Sequence, residues 1–348
     1  MMKQVYVSDL NTYELKDGPA PTLQGAGDII VKVSTTTVCG SDVHILAGHM
    51  HTPWGFPLGH EFVGVVHELS ADVRNFKIGD RVVAPAAPWC GHCHNCRRGQ
   101  IQACERGGIF GSGEHFGNLG GAQAEYVRVP FADTCVSKIP DNVTDAQALT
   151  VGDILSTGWS AVKNAVTAPG QRLLVFGAGP VGLSAVHTAR LAGVTEVIAV
   201  DTVTDRLELA RTLGATHVIN PANQDVVAVI ESLTAGRGVE AIVDAAGVPG
   251  TINAWQGTAA IGAKVAMVGI PGAPVEMNLT AMLEKNIALW TGLGDLGQMD
   301  MLLNMIAAGA LDPSPIFTET TSFKHIETSI AEFMARKPGL VKPLIHMD

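Results

Sequence analysis

Up to about Thr150 the chain runs as short apolar stretches cut by glycine and proline. Examples are Ile29-Ile30-Val31-Lys32-Val33, Phe62-Val63-Gly64-Val65-Val66, Arg81-Val82-Val83-Ala84 and Ala124-Glu125-Tyr126-Val127-Arg128-Val129. Such stretches between turn residues read as strands, and Gly79-Asp80 ahead of the third is a turn signal. A series of them predicts a mostly antiparallel, barrel-like domain. After Val151 the rhythm changes. Apolar runs at Arg172–Phe176, Glu196–Val200, His217–Ile219, 241–243, 264–268 and 286–290 alternate with helical spacing over 181–191, 204–213 and 224–233. Strands joined by helical crossovers predict a doubly wound parallel sheet. Two more helical stretches, 296–310 and 324–336, lead to an apolar tail at 341–345 that is expected to pack back on the first domain. The expected class is α/β: residues 1–155 as the barrel domain, 156–295 as the parallel-sheet domain, and 296–348 returning to the first.

A length of 348 residues, 47% of them hydrophobic, gives each domain enough material for its own core. Lys and Arg number 23 against 33 Asp and Glu, a formal charge of −10, which argues against nucleic acid as a partner. The start, Met1-Met2-Lys3-Gln4-Val5, lacks an apolar signal segment. The most apolar stretch, 173–189, is interrupted by glycines, a proline and a histidine, so it reads as strand, turn and helix rather than as a membrane span. A cytoplasmic setting is expected, because cysteines held by a metal suit a reducing compartment.

Cys90, Cys93, Cys96 and Cys104 follow one another with spacers of two, two and seven residues, within loop 88–106. Two-residue spacers let a tight turn present neighbouring sulfurs to one ion, and zinc accepts four thiolates without redox chemistry. A pair of disulfides is the competing reading. A site closed by four sulfurs stabilises a loop and leaves no position for substrate, so the chemistry is sought elsewhere.

The run Leu173-Leu174-Val175-Phe176 enters Gly177-Ala178-Gly179-Pro180-Val181-Gly182, and a helical pattern follows. This is G-x-G-x-x-G in the strand–turn–helix setting that a dinucleotide needs. The first glycine makes the turn, the second admits the pyrophosphate, and the third lets helix and strand pack closely. The new helix offers free N–H groups to the phosphates, with Pro180 and Val181 beside them. Asp201 ends the next strand, near the spacing of about 20 residues at which an acid holds the adenosine ribose. A carboxylate there favours NAD and repels the 2′-phosphate of NADP. A helix-capping Asp is the alternative. Arg206 complicates the preference, since it could pair with a 2′-phosphate or flank the adenine.

Two further segments, Cys39-Gly40-Ser41-Asp42-Val43-His44 and Gly59-His60-Glu61, complete a set. Together with the cysteine knuckle and the glycine motif, in this order, the chain resembles the zinc-dependent alcohol dehydrogenases of the medium-chain dehydrogenase/reductase superfamily over essentially its whole length. The resemblance implies a GroES-like first domain, two zinc ions per chain, NAD as cofactor, and a homotetramer or, less often, a dimer. It implies that Cys39 and His60 ligate a catalytic zinc. Many members supply a cysteine as third ligand, whereas Asp153 stands at the matching place here, as in a bacterial branch of the family. Asp is also a good helix N-cap, which is the plainer role for it. Thr157, just beyond, is a cofactor-binding candidate. Glu61 would lie behind the metal or swing in as a fourth ligand. Asp42 would accept a hydrogen bond from the other nitrogen of His60.

The resemblance further implies that alcohol binds at the open position of the zinc, that Ser41 takes its proton and His44 delivers it towards solvent, and that hydride passes to nicotinamide across the interdomain cleft. His49 and His51 read as solvated or pocket-lining rather than as ligands, and His92 and His94 as outward-facing. Cys135 reads as a small buried hydrophobe. Trp54, Trp89, Phe110, Trp290 and Leu293 are expected to narrow the pocket, which favours small or medium alcohols and ketones. Polyol, butanediol, amino-alcohol and formaldehyde dehydrogenases share these motifs and stay open as alternatives. A non-catalytic relative that merely binds cofactor is a further one.

Overall fold

A computed structural model describes all residues, 1–348. The chain forms two compact units, Met1–Asp153 with Asp295–Asp348, and Ile154–Gly294. The class is α/β, as the periodicity predicts.

In the first unit the strand Ile29–Thr36 is central. It pairs antiparallel with Phe62–Leu69, Tyr126–Val129 and the last strand, Pro343–His346. Arg81–Val83 and Ser137–Lys138 extend the sheet, while Glu319–Ser322 joins Pro343–His346 in parallel. The apolar runs bury Ile29, Val31, Val33, Phe62, Val66 and Val82 in one core. A separate hairpin, Met2–Asp9 with Thr12–Gly18, turns at Asn11, whose φ of +49 suits an asparagine. The hairpin leaves little trace in the sequence. On its first strand the core-facing run is only Val5 and Val7 beside exposed Lys3, while Gln4 is buried on the other face against Gly18, which leaves too short an alternation to read.

In the second unit six parallel strands lie in the order His217–Ile219, Glu196–Val200, Arg172–Phe176, Val239–Asp244, Ala259–Met267, Ala288–Thr291. This is the doubly wound order with the first strand central. Leu173, Leu174, Val175 and Phe176 are all buried, as expected of a strand covered by helices on both faces. The helix Pro180–Thr188 follows that strand directly, so 173–189 is strand, turn and helix. No helix of the chain is long and apolar enough to cross a membrane.

Candidate active site and metal centres

The helix Gly40–Leu46 starts at Cys39, whose backbone N–H donates to Asp42 Oδ2 at 2.9 Å. This is one half of a capping box and fixes where the helix begins. Ser41 and His44 are three residues apart and share a helix face. His60 and Glu61 immediately precede the strand Phe62–Leu69. Asp153 sits between the helices Asp145–Val151 and Ile154–Ala165. Gly152 lets that junction approach the strand Arg81–Val83, since a Cβ there would stand 2.7 Å from the Ala84 carbonyl oxygen.

These elements bring one ligand atom each from Cys39, His60, Glu61 and Asp153 within 4.8 Å of one another. Cys39 Sγ is 3.7 Å, and His60 Nε2 3.3 Å, from Asp153 Oδ2. Ligands at zinc bond lengths of about 2.0–2.3 Å stand roughly 3.3–3.8 Å apart around a tetrahedron, so this spacing fits such an ion. His60 Nδ1 is 3.2 Å from Asp42 Oδ1, near but too poorly aligned to count as a hydrogen bond. Asp42 Oδ2 accepts instead from Cys39 N–H and, at 3.1 Å, from Gln123 Nε2. Ser41 Oγ lies 3.1 Å from His60 Nε2.

Behind the cluster Lys342 Nζ donates to Glu61 Oε2 at 2.6 Å and to the Val38 carbonyl at 3.0 Å. Burial raises Glu61 to about 6 against the pull of Lys342. Burial, then Glu61, raises the Cys39 thiol. Burial opposes charge on His60, yet Asp42 and Cys39 outweigh it and hold the imidazole well above its usual value. The charges fit a divalent cation. Lys342 offsets Glu61, leaving the Cys39 thiolate and the Asp153 carboxylate to be offset by two positive charges.

The second group is Cys90, Cys93, Cys96 and Cys104, again within 4.8 Å of one another. The Cys93 and Cys104 sulfurs are 3.9 Å apart, near the edge of a zinc–thiolate tetrahedron at about 3.8 Å and far from a disulfide at about 2.05 Å. Backbone N–H groups of Cys90, Cys93 and Cys96 point at the sulfurs of Cys104, Cys90 and Cys93 at 3.3–3.5 Å, an arrangement that favours thiolates. His92 and His94 face outward.

In the second unit the three motif glycines separate by function. Gly177 has φ +87, open to glycine at little cost. A Cβ on Gly182 would stand 1.7 Å from the Gly177 carbonyl oxygen, whereas one on Gly179 would meet nothing within 4 Å. The chain therefore packs tightly at Gly182 and leaves open space at Gly179, where the helix begins with Pro180. Asp201 Oδ2 accepts from Ala178 N–H at 2.7 Å and Oδ1 from Val203 N–H at 2.8 Å. Val181, Arg206 and Thr157 are partly buried. Thr157 packs so close to Gly294 that a Cβ on Gly294 would reach within 2.4 Å of its hydroxyl oxygen.

The family model for the alcohol dehydrogenase GroES-like domain matches residues 25–141, and that for zinc-binding dehydrogenase matches 180–305. An alcohol dehydrogenase of Cupriavidus necator is 34% identical, with 98% of each chain covered. The chain belongs to the zinc-dependent alcohol dehydrogenase family of the medium-chain dehydrogenase/reductases. It is an oxidoreductase acting on alcohols. An L-threonine 3-dehydrogenase of Pseudoalteromonas translucida is 32% identical over 94% of both chains. The solved alcohol dehydrogenase of Thermus sp. ATN1 superposes with a TM-score of 0.94 at 34% identity, covering 100% of each chain.

Two features of this dehydrogenase are not legible in its sequence. Lys342 was visible only as a lone charge inside the apolar tail, and Gln123 carried no signal at all. The expected pocket lining needs correction. It fails at Phe110, which is fully buried and packs edge-on against Phe62 in the barrel core, whereas Trp89 is half-buried beside the cysteine knuckle. Cys135 is buried and donates to the Phe131 carbonyl at 3.3 Å, and burial pushes its thiol up to about 12.

Proposed function

We propose that this dehydrogenase interconverts small or medium primary and secondary alcohols with their aldehydes or ketones, using NAD and two zinc ions per chain. The observation that carries the reading is the convergence of Cys39, His60 and Asp153 on one point, with Glu61 and Lys342 paired behind it. Cys39, His60 and Asp153 would hold the catalytic ion, and Cys90, Cys93, Cys96 and Cys104 the structural one. When bound, zinc supplies Lewis acidity towards the substrate oxygen and NAD supplies the hydride acceptor.

The protein's own groups do the rest. Asp42, itself held by Gln123, lies 3.2 Å behind His60 Nδ1, where it would accept from that ring and orient it. Ser41 Oγ receives the substrate's proton, and His44 on the same helix face carries it towards water. An imidazole suits that step because its unperturbed pKa is near neutral. Gly177, Gly179 and Gly182, with Pro180 and Val181, cradle the pyrophosphate at the helix start. Asp201 selects the ribose of NAD, with Arg206 flanking the adenine and Thr157 near the nicotinamide end.

The threonine dehydrogenase likeness supports an amino-alcohol as the second reading of the substrate. The reading extends to a cytoplasmic homotetramer. All six cysteines are unbridged, and Ala288–Thr291 offers a sheet edge for pairing between copies. Metal analysis should find two zinc ions per chain. Turnover should be measured with NAD on primary and secondary alcohols, polyols, L-threonine and formaldehyde. Activity confined to L-threonine would replace the first substrate reading by the second, and one ion in folded protein would refute the two-site assignment.

A further inference from the structure

The helix Gly40–Leu46 ends on Ala47, and Gly48 follows with φ +74. The N–H of Gly48 donates to the Ile45 carbonyl at 2.9 Å, and the N–H of His49 reaches back to the His44 carbonyl at 2.9 Å. These are the two bonds that close a helix through a left-handed glycine. The same turn sets the side chain after the glycine against the one that sits in the last helical turn. Elsewhere that contact is commonly apolar. Here both partners are histidines. Their Nδ1 atoms are 3.1 Å apart and the rings are tilted by 50°. At that distance one nitrogen carries the hydrogen and the other accepts it. His44 is half-buried and His49 exposed.

We propose that His49 is the exit station of the proton path: the excess proton on the His44 ring leaves from Nδ1 to Nδ1 of His49, and from the His49 ring to water. The inference rests on the reading of Ser41 and His44 as the relay. Only N–H and O–H bonds form and break. The one proton released per alcohol oxidised leaves at the exposed ring, and carbonyl reduction runs the same path inward. Two neighbouring imidazolium ions repel, so charge on one ring opposes charge on the other. Burial, with His49 adding to it, keeps His44 below its ordinary value, so this ring passes a proton on rather than storing it. The hairpin tip packed on the turn adds no charge at the rings. Leu10 lies over Gly48, Asn11 donates to the Leu46 carbonyl, and the Asp9 carboxylate accepts from Leu10 N–H. His51 packs against His115 instead.

His49→Asn keeps the backbone turn and removes the titrating ring. In zinc-loaded enzyme oxidising an alcohol, kcat should fall about tenfold, less than the roughly hundredfold that a general base at the reacting atom supplies. Free imidazole in the buffer should restore it. The acid-side pKa of kcat/KM should move upward, because the neighbour that lowers His44 is gone. Zinc content and NAD affinity should stay unchanged. His44→Asn, measured in parallel, separates the two readings. If it is impaired while His49→Asn keeps the wild-type rate and profile, the relay stands and His49 is not on it. A slow His49→Asn with no imidazole rescue and no pKa change makes His49 a packing residue and overturns the proposal. A fully active His44→Asn removes the relay reading itself.

Discussion

Lys342 Nζ lies 2.6 Å from Glu61 Oε2, with the two side chains 0% and 1% exposed. The cation comes from the residue before the last strand, the anion from the residue before Phe62–Leu69. A charge pair shut away from water stabilises little relative to an apolar pair, but breaking it strands the survivor. Lys342→Met should therefore destabilise the protein by about 3–5 kcal/mol. Adding Glu61→Gln should recover most of that loss, because no unpaired charge then remains. Urea denaturation of the single and double variants checks both statements. A double variant no better than Lys342→Met would show that Lys342 matters for its shape and not for its charge.

Zinc uptake at the candidate catalytic centre should depend steeply on pH. In metal-free protein burial holds the Cys39 thiol above its ordinary value, while Asp42 and Cys39 outweigh burial and hold His60 well above its own. Below those raised values each group carries a proton that an ion must expel. Apparent affinity should rise with pH until they are passed, with a slope approaching about two protons per ion. Competition with a chelator from mildly acidic to mildly alkaline pH measures this. A flat profile would mean that Cys39 and His60 are not both ligands.

Much of this is legible in the sequence. After their first residue, strands Arg172–Phe176 and Glu196–Val200 are continuous apolar runs, because both faces of a parallel sheet are covered. The cysteine knuckle and the glycine motif are legible because their chemistry demands fixed local spacing. What the sequence hides is set by distance along the chain. Glu61 meets Lys342 from 281 positions away, and Gln123 reaches Asp42 from 81. Neither separation leaves a period to read. Phe110 shows the converse: an aromatic residue expected in the pocket lies instead in the barrel core, and nothing local in the sequence tells the two settings apart.

Gly179 and Gly182 should fail differently when replaced by alanine. A Cβ on Gly182 would collide with the Gly177 carbonyl at 1.7 Å, pushing the helix off the strand. Overpacking of this kind costs about 1–3 kcal/mol or more. Gly179 has φ −74 and open space at its Cβ position, so alanine there should leave stability within about 0.5 kcal/mol. Its methyl would instead occupy the approach of the pyrophosphate, and NADH affinity should fall at least about tenfold, or about 1.4 kcal/mol. Calorimetry and NADH fluorescence titration on both variants separate the effects. Wild-type affinity in Gly179→Ala would move the cofactor away from this turn.

On the proposed reading Asp201 carries two duties, and a conservative change should split them. Its oxygens already accept from Ala178 N–H and Val203 N–H at 2.7 and 2.8 Å, tying the glycine turn to the end of the neighbouring strand. A carboxylate offers about four acceptor sites, so roughly two remain for ribose hydroxyls. Asp201→Asn replaces one acceptor oxygen by a donor and removes the charge that repels a 2′-phosphate. One backbone bond should be lost, costing about 1 kcal/mol of stability. The kcat/KM with NAD should fall about tenfold while that with NADP rises, because repulsion at the ribose is relieved. The ratio of the two constants is the deciding measurement, since a general loosening of the turn lowers both together. A wild-type enzyme that already prefers NADP would assign Asp201 to the turn alone and make Arg206 the residue that reads the ribose.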